Sequence, residues 1–111
     1  MADGIVTLKE RHRRKMERME AAIVAIDAAL LAYAREHGGR FIRFGSTAEG
    51  RMRDHSDVDI VADFPGEGSL LAADFAEGLC HANGMTPDAQ AGAYLSSTFK
   101  AEAERRGVVI A

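Results

Sequence analysis

The chain reads Phe44-Gly45-Ser46-Thr47-Ala48-Glu49-Gly50-Arg51-Met52-Arg53-Asp54-His55-Ser56-Asp57-Val58-Asp59-Ile60-Val61, its most informative stretch. A glycine-serine pair is followed, after ten residues, by two aspartates that flank a valine. Carboxylates two positions apart on a strand point to the same face, where they can hold divalent cations. A glycine-serine turn can present backbone N–H groups to phosphates. This order and spacing predict phosphate and metal chemistry.

The segments around the motif predict its local structure. Residues 40–45 suit a short strand that leads into the Gly-Ser turn, residues 46–52 a short helix, and residues 58–63 a second strand. An isolated Asp-x-Asp more often marks an exposed polar strand face. The preceding strand and turn favour the metal-binding interpretation of Asp57 and Asp59.

A long helix is predicted over residues 7–37, because no proline or glycine interrupts them. Thr7 is a candidate N-cap, Glu10 completes a capping box, and Gly38 suits a left-handed C-terminal residue. Such a helix would be about 45 Å long, longer than the compact remainder. Its outer part should project, or pack on another chain, for example in a homodimer. Its basic end is either a solvated face or a docking surface for an acidic partner or RNA.

The rest of the chain predicts alternating helices and strands, and therefore an α/β or α+β fold. A helix is predicted over residues 69–82, with a buried stripe formed by Leu70, Leu71, Phe75, Leu79 and Cys80. Residues 85–91 suit a third strand, which Pro87 confines to an edge of the sheet. Residues 94–106 suit a last helix that Gly107 ends, and residues 108–110 a final strand.

The motif resembles the nucleotidyltransferase superfamily related to DNA polymerase β, and more narrowly the minimal nucleotidyltransferases. The resemblance is strong over residues 41–63 and rests on Gly45, Ser46, Ala48, Gly50, Ser56, Asp57 and Asp59. Glu49 stands where that family usually has arginine. The resemblance implies a single nucleotidyltransferase domain over residues 1–111, with residues 7–37 as the long helix and residues 40–111 as a catalytic core built on a small mixed sheet with flanking helices.

The resemblance also implies a metal-dependent enzyme that uses Mg²⁺ or Mn²⁺ and takes ATP or another nucleoside triphosphate as substrate. Asp57 and Asp59 would be catalytic metal ligands. Asp88 is the candidate for a third catalytic and metal-binding carboxylate. A different alignment puts Asn83 at that position, and Asp88 would then be a turn residue after Pro87.

Phosphate binding is assigned to Gly45, Ser46, Arg51 and Arg53. Glycine permits close backbone approach, serine offers a hydroxyl and an N–H, and arginine suits phosphate. The competing explanations are a plain helix N-cap at Ser46, and solubility or pairing with Asp54 for the arginines. Because Glu49 stands at the family's arginine position, the site lacks that positive charge, and the glutamate could repel a triphosphate. By alternation, Asp63 lies on the same strand face as Asp57 and Asp59. It stands at the end of the strand, however, and exposure to solvent there explains an aspartate without a role in the site.

The predicted function is transfer of a nucleoside monophosphate, AMP above all, to a hydroxyl of a protein or RNA. The resemblance suggests the antitoxin of a toxin–antitoxin pair, with a helical HEPN-type protein as partner. The alternative is a catalytically weak or inactive antitoxin-like module that neutralises its partner by contact. A drug-modifying transferase is a weaker option, since the chain has no room for a second substrate domain.

Composition narrows the classes of protein further. The chain has 111 residues, a net charge of −3 and one cysteine, Cys80. The charge argues against general DNA binding, and the lone cysteine, expected in the core, fits a reducing compartment. Neither a signal peptide nor an apolar run long enough for a bilayer is apparent. We therefore expect a cytoplasmic protein without membrane contact.

Overall fold

The computed structural model describes residues 7–111, so the first six residues of the predicted domain lie outside the described part. The described residues form three α-helices and four strands. They are α1 (Leu8–His37), β1 (Arg40–Phe44), β2 (Val58–Asp63), α2 (Gly68–Ala82), β3 (Pro87–Ala91), a short 3₁₀ turn (Gly92–Tyr94), α3 (Ser97–Arg106) and β4 (Val108–Ile110).

The strands form one mixed sheet in the order β3-β2-β1-β4. The central strands β1 and β2 are antiparallel, and their register pairs Phe44 with Asp59. β4 adds antiparallel to β1, and β3 adds parallel to β2. Pro87 begins β3, an edge strand, because proline has no N–H to donate to a second neighbour. This confirms the predicted α+β class and places the end of β1 beside the start of β2.

The long helix begins and ends where the sequence predicts. The Thr7 hydroxyl accepts a hydrogen bond from the Glu10 N–H at 3.0 Å, and Gly38 is left-handed with φ 72°. The Glu10 carboxylate instead accepts from Arg14 of the next turn, at 3.3 Å. Only the inner part of α1 is buried, through Met19, Ile23, Ile26, Leu30 and Ala34. The outer part projects, and the chain measures 60 × 25 × 18 Å.

Two layers of side chains cover the two faces of the sheet. On one face α1 and α2 pack against Phe41, Val58, Ile60 and Ala62. Burying a side chain such as Ile26 stabilises the fold by about 2 kcal/mol. On the opposite face Ile42 and Val61 pack with Ala103 of α3. Side chains alternate between faces along a strand, so Phe44 and Asp59 lie on the α3 side.

Helix α2 buries Cys80 and partly buries Leu79 as predicted, but the rest of its buried stripe differs from the prediction. Its buried residues are Ser69, Ala72, Ala73, Ala76 and Cys80, whereas Leu70, Leu71 and Phe75 are exposed to 43%, 65% and 36%. The small residues have the same three- and four-residue spacing as the larger ones. Small side chains let the axis of α2 approach the sheet closely. The face that α2 turns toward the sheet is therefore the one with small side chains and not the one with the largest hydrophobic side chains.

Two smaller predictions also need correction. The predicted helix over residues 94–106 is interrupted: Gly92–Tyr94 form a 3₁₀ turn, and α3 starts only after Ser96, whose hydroxyl caps the Phe99 N–H at 3.0 Å. The third strand begins at Pro87 rather than Met85. Among residues 7–111, no helix has the length and apolar character needed to cross a membrane.

Candidate active site

The Gly-Ser turn starts where β1 ends and passes directly against β2. Gly45 has φ 73°, and a Cβ atom there would overlap the Asp59 carboxylate. A residue with a side chain would therefore meet both backbone strain and a clash. The Ala48 and Glu49 N–H groups donate to the Gly45 carbonyl, each at 3.0 Å. Residues 46–50 form consecutive turns and not the predicted short helix, so the N-cap explanation of Ser46 fails.

A buried ion pair fixes this turn to the long helix. Arg43 of β1, with its side chain only 7% exposed, donates two hydrogen bonds of 2.8 Å to the Asp27 carboxylate of α1. It also donates to the Thr47 carbonyl at 2.8 Å. Both charges lie on apolar faces: Asp27 interrupts the apolar run of α1, and Arg43 shares its strand face with Phe41. That placement is a signal that sequence reasoning missed.

A pair of serines joins the turn to the loop before β2. The Ser46 hydroxyl donates to the Ser56 hydroxyl at 3.0 Å, and Ser56 Oγ accepts from the Arg53 N–H at 2.7 Å. The ten-residue spacer therefore folds back on itself, and the residue after Ser56 is Asp57. The two halves of the motif thus form one connected structure.

Three carboxylates gather next to the turn, at the start of β2 and β3. Asp59 lies on β2, Asp88 is its aligned partner on β3, and Asp57 immediately precedes β2. Asp59 is half-buried, while Asp57 and Asp88 are exposed. Burial, together with the neighbouring Asp88 and Asp57, raises the pKa of Asp59 to about 6. Asn83 ends α2 and donates to the Leu79 carbonyl at 2.9 Å, so it does not occupy the third position.

The donor set suits a hard divalent cation, because carboxylate oxygens are what Mg²⁺ and Mn²⁺ prefer. The missing side chain of Gly45 lets the Asp59 carboxylate lie directly against the turn, where a Cβ atom would overlap it. A cation there would offset the repulsion that raises the pKa of Asp59. Within residues 7–111, however, no three His, Cys, Asp or Glu side chains are already arranged around one ion. Asp57, Asp59 and Asp88 are the residues that would hold it.

The charged side chains around the turn pair differently from the prediction. Glu49 accepts from Arg106 of α3 at 2.9 Å and lies 3.4 Å from Arg51, so its charge is balanced rather than left to repel a phosphate. Both arginines lower the pKa of Glu49, Arg106 by the larger amount. Asp54 pairs with His12 of α1 at 2.8 Å, not with Arg51 or Arg53. Arg53 is exposed.

An open cavity of about 270 Å³ lies beside this cluster on the α3 face. Its lining includes Gly45, Glu49, Arg51, Phe99 and Arg106. The Phe99 ring packs edge-on against Phe44, with centroids 5.7 Å apart. The carboxylates, the turn and a cavity with two guanidinium groups therefore occupy one side of the sheet.

The family model for the nucleotidyltransferase domain matches residues 28–106. The chain belongs to the nucleotidyltransferase domain family. The match contains the Gly-Ser turn and all three carboxylates, and omits the outer part of α1. Enzymes of this family generally use a nucleoside triphosphate and a divalent metal. The domain thus supports a transferase activity in general terms.

A solved structure described as a "putative minimal nucleotidyltransferase" is similar to this nucleotidyltransferase domain. The two share 25% sequence identity with a TM-score of 0.62, over 80% of this chain and 93% of the other. No curated protein matches the sequence. The fold predicted from the motif is therefore confirmed by an independent structure of nearly the same size.

Other polar residues of this nucleotidyltransferase have structural roles. Asp63 is not an exposed strand end, since it pairs with Arg40 at 2.9 Å and lies 3.7 Å from the Lys100 ammonium. Cys80 is buried, and burial raises the pKa of its thiol to about 11, which makes it unreactive. Arg106 is the functional candidate that sequence reasoning missed, because its helix is remote in sequence from the turn.

Proposed function

We propose that this nucleotidyltransferase transfers a nucleoside monophosphate, AMP above all, from a metal-bound triphosphate to a hydroxyl of a protein or RNA. The observation that carries the proposal is the strand register that sets Asp88 beside Asp59, next to the Gly45 turn. Three carboxylates and a glycine-serine turn on one sheet face are the parts that nucleotidyl transfer needs.

The reaction is a displacement at the α-phosphorus. The acceptor hydroxyl oxygen forms a bond to that phosphorus, the bond to the oxygen bridging the α- and β-phosphates breaks, and pyrophosphate leaves. Asp88, which is exposed on the edge strand β3, takes the proton of the hydroxyl. Asp57 and Asp59 hold the metal, while Gly45 and Ser46 receive the phosphates. A bound Mg²⁺ or Mn²⁺ supplies charge neutralisation and polarises the α-phosphate.

The acceptor in this proposal is a partner protein of the helical HEPN type, modified on a tyrosine within a toxin–antitoxin pair. The similarity to a minimal nucleotidyltransferase supports it. So does α1, whose outer part projects from the core and leaves Leu8 82% exposed. The outer part of α1 reaches the loop before β2, where His12 pairs with Asp54, so it could hold a partner protein while a hydroxyl group of that partner enters the site.

A second candidate is a module that neutralises its partner by contact alone. The projecting outer part of α1, which lies before the matched residues, is the observation that favours it. The two sequence arguments for inactivity are weaker in the structure. Glu49 is paired with Arg106, and a third carboxylate stands beside Asp59.

Label transfer from ATP separates the two candidates. The protein is incubated with Mg²⁺, host lysate and either α- or γ-labelled ATP, alongside an Asp57→Asn/Asp59→Asn double variant. Asp74→Asn, an exposed aspartate on α2, is the matched control. Transfer of α-label alone, lost in the double variant and kept in the control, is the expected result. Transfer of γ-label would instead indicate phosphoryl transfer. With the purified partner present, no transfer together with full neutralisation by the double variant would favour the binding module.

A further inference from the structure

The end of α3 is held against the end of β1, which brings a cation to the Gly-Ser turn. Gly107 follows α3, and a Cβ atom there would lie 2.6 Å from the Arg43 carbonyl oxygen and 3.2 Å from the Phe44 Cβ. Only glycine permits so close an approach. Arg106, the preceding residue, is thereby placed next to the turn that begins at Gly45.

Arg106 is bound to the turn through a single carboxylate. Its Nη2 donates to Glu49 Oε1 at 2.9 Å, while Arg51 lies 3.4 Å from the other Glu49 oxygen. Glu102 is 3.9 Å from Arg106, but its stronger bond is to Arg105 at 2.6 Å. Glu49 is therefore the main counter-ion of a guanidinium pair at the mouth of the cavity described above.

An ion pair in this position is easily exchanged. The Arg106 side chain is 51% exposed, and exposed pairs contribute little because water screens them. A triphosphate carries several negative charges and offers planar pairs of oxygens that match the guanidinium fork. It would compete with one carboxylate for both arginines. The cavity lining also includes Gly45, which lies against the Asp59 carboxylate.

We propose that Arg106 binds the phosphates of the nucleotide, and that Glu49 holds it in place until the triphosphate displaces the carboxylate. Arg51 completes the clamp from the turn. The inference rests on the proposed function, since it names the residue that receives the phosphates of that substrate. It makes Glu49 a competitor of the substrate, so that the affinity for triphosphate depends on how tightly Glu49 holds the arginine.

Binding measurements on four proteins test this inference. Wild type, Glu49→Gln, Arg106→Gln and Arg35→Gln are titrated by calorimetry with ATP and, separately, with inorganic tripolyphosphate, both with Mg²⁺. We expect Arg106→Gln to weaken binding by about tenfold, the loss of one charged hydrogen-bonding partner. Glu49→Gln should strengthen it by about threefold, because a competing surface ion pair is removed. Arg35→Gln removes the same charge from an exposed position of α1 outside the cavity lining, and should leave binding unchanged.

The opposite signs separate a binding role from a structural one. Both Glu49→Gln and Arg106→Gln break the same ion pair, so a purely structural pair would make them change binding and thermal stability alike. Equal weakening by the two variants, or no effect of Arg106→Gln, would overturn the inference. If wild type binds tripolyphosphate with the expected pattern but transfers no label, the proposed function fails and the phosphate site stands. If wild type binds neither ligand, both are wrong.

Discussion

Asp59 and Asp88 stand side by side in the parallel β2–β3 pair, on the sheet face opposite α1 and α2. Burial and the neighbouring Asp88 carboxyl group raise the pKa of Asp59, so the folded protein holds a proton there more tightly than an isolated aspartate would. Two negative charges so near each other destabilise a half-buried site. The fold therefore contains a local electrostatic cost that a divalent cation would relieve.

Replacing Asp59 with asparagine should change how stability depends on pH. Without metal, the pKa of Asp59 is about 6, raised from 3.8 by burial and the neighbouring carboxyl groups. The folded protein holds this proton more tightly than the unfolded chain, so ionisation lowers the free energy of unfolding as pH rises between those values. Asp59→Asn cannot ionise. The free energy of unfolding of Asp59→Asn, relative to that of wild type, should increase by about 1 kcal/mol between pH 4 and pH 6 and stay constant above pH 6. This value is reduced to account for solvent screening.

Urea unfolding at several pH values in EDTA measures this difference. Asp74→Asn on α2 is the control, and its difference from wild type should not vary over the same range. A constant difference for Asp59→Asn would contradict the electrostatic account of the site. Added Mg²⁺ should stabilise wild type above pH 6 and leave Asp59→Asn nearly unaffected, because a ligand that binds only the folded state shifts the equilibrium.

Asp88→Asn should lower the rate of label transfer by about a hundredfold, since an amide cannot accept the proton of the acceptor. ATP binding should change less than the rate does. Asn83→Ala is the comparison, because Asn83 competed with Asp88 for this position in the sequence. Single-turnover rates with purified partner measure both. A larger loss in Asn83→Ala, once its weakened helix end is accounted for by a stability measurement, would favour the other assignment.

The sequence predicted most of the fold because each signal was local. Thr7 and Gly38 mark the ends of α1 through their own backbone chemistry, and these boundaries are confirmed. Pro87 confines β3 to an edge as predicted, although the strand begins there and not at Met85. The predicted buried stripe of α2 was wrong at Leu70, Leu71 and Phe75, because the prediction followed the most hydrophobic side chains whereas the helix buries its small ones. The short helix predicted for residues 46–52 was wrong, because the hydrogen bonds that join this turn to Arg43 and Ser56 override the local helix propensity.

The site was only partly predictable for the same physical reason. Asp57, Asp59 and the Gly45 turn are close in sequence, and their proximity follows from strand geometry. The position of Asp88 depends on the β2–β3 register, which the neighbouring residues alone do not determine. Arg106 reaches the turn only because α3 packs across the sheet and Gly107 touches β1. Contacts between distant segments carry no periodic signal in a single sequence.

The ion pair of Arg43 and Asp27 should behave as a unit. Arg43→Met leaves Asp27 next to the core without its partner, and Asp27→Leu leaves a buried guanidinium unpaired. Each single variant should lower the free energy of unfolding by about 3 kcal/mol. The double variant removes both charges and should lose much less than the sum. Urea unfolding of the four proteins gives the coupling energy, and additive losses would show that the pair contributes only by packing.

Gly45→Ala and Gly50→Ala separate backbone strain from a clash within the site. Both glycines have nearly the same left-handed conformation, φ 73° and 72°, so alanine at either position costs about 1 kcal/mol. A Cβ at Gly50 meets nothing within 4 Å, whereas one at Gly45 overlaps the Asp59 carboxylate. Gly45→Ala should therefore cost about 2–3 kcal/mol in total, since the carboxylate or the turn must move.

The two variants should differ still more in binding than in stability. A methyl group at Gly45 would displace the Asp59 carboxylate, a metal ligand in the proposed site, so Mg²⁺-ATP binding should fall by at least tenfold. Gly50→Ala lies in the same turn with open space around it and should bind within about twofold of wild type. Circular dichroism confirms that both are folded, and calorimetry measures binding. Equal binding by the two variants would mean that Asp59 and Gly45 do not share a ligand, and the phosphates would then have to bind away from the turn.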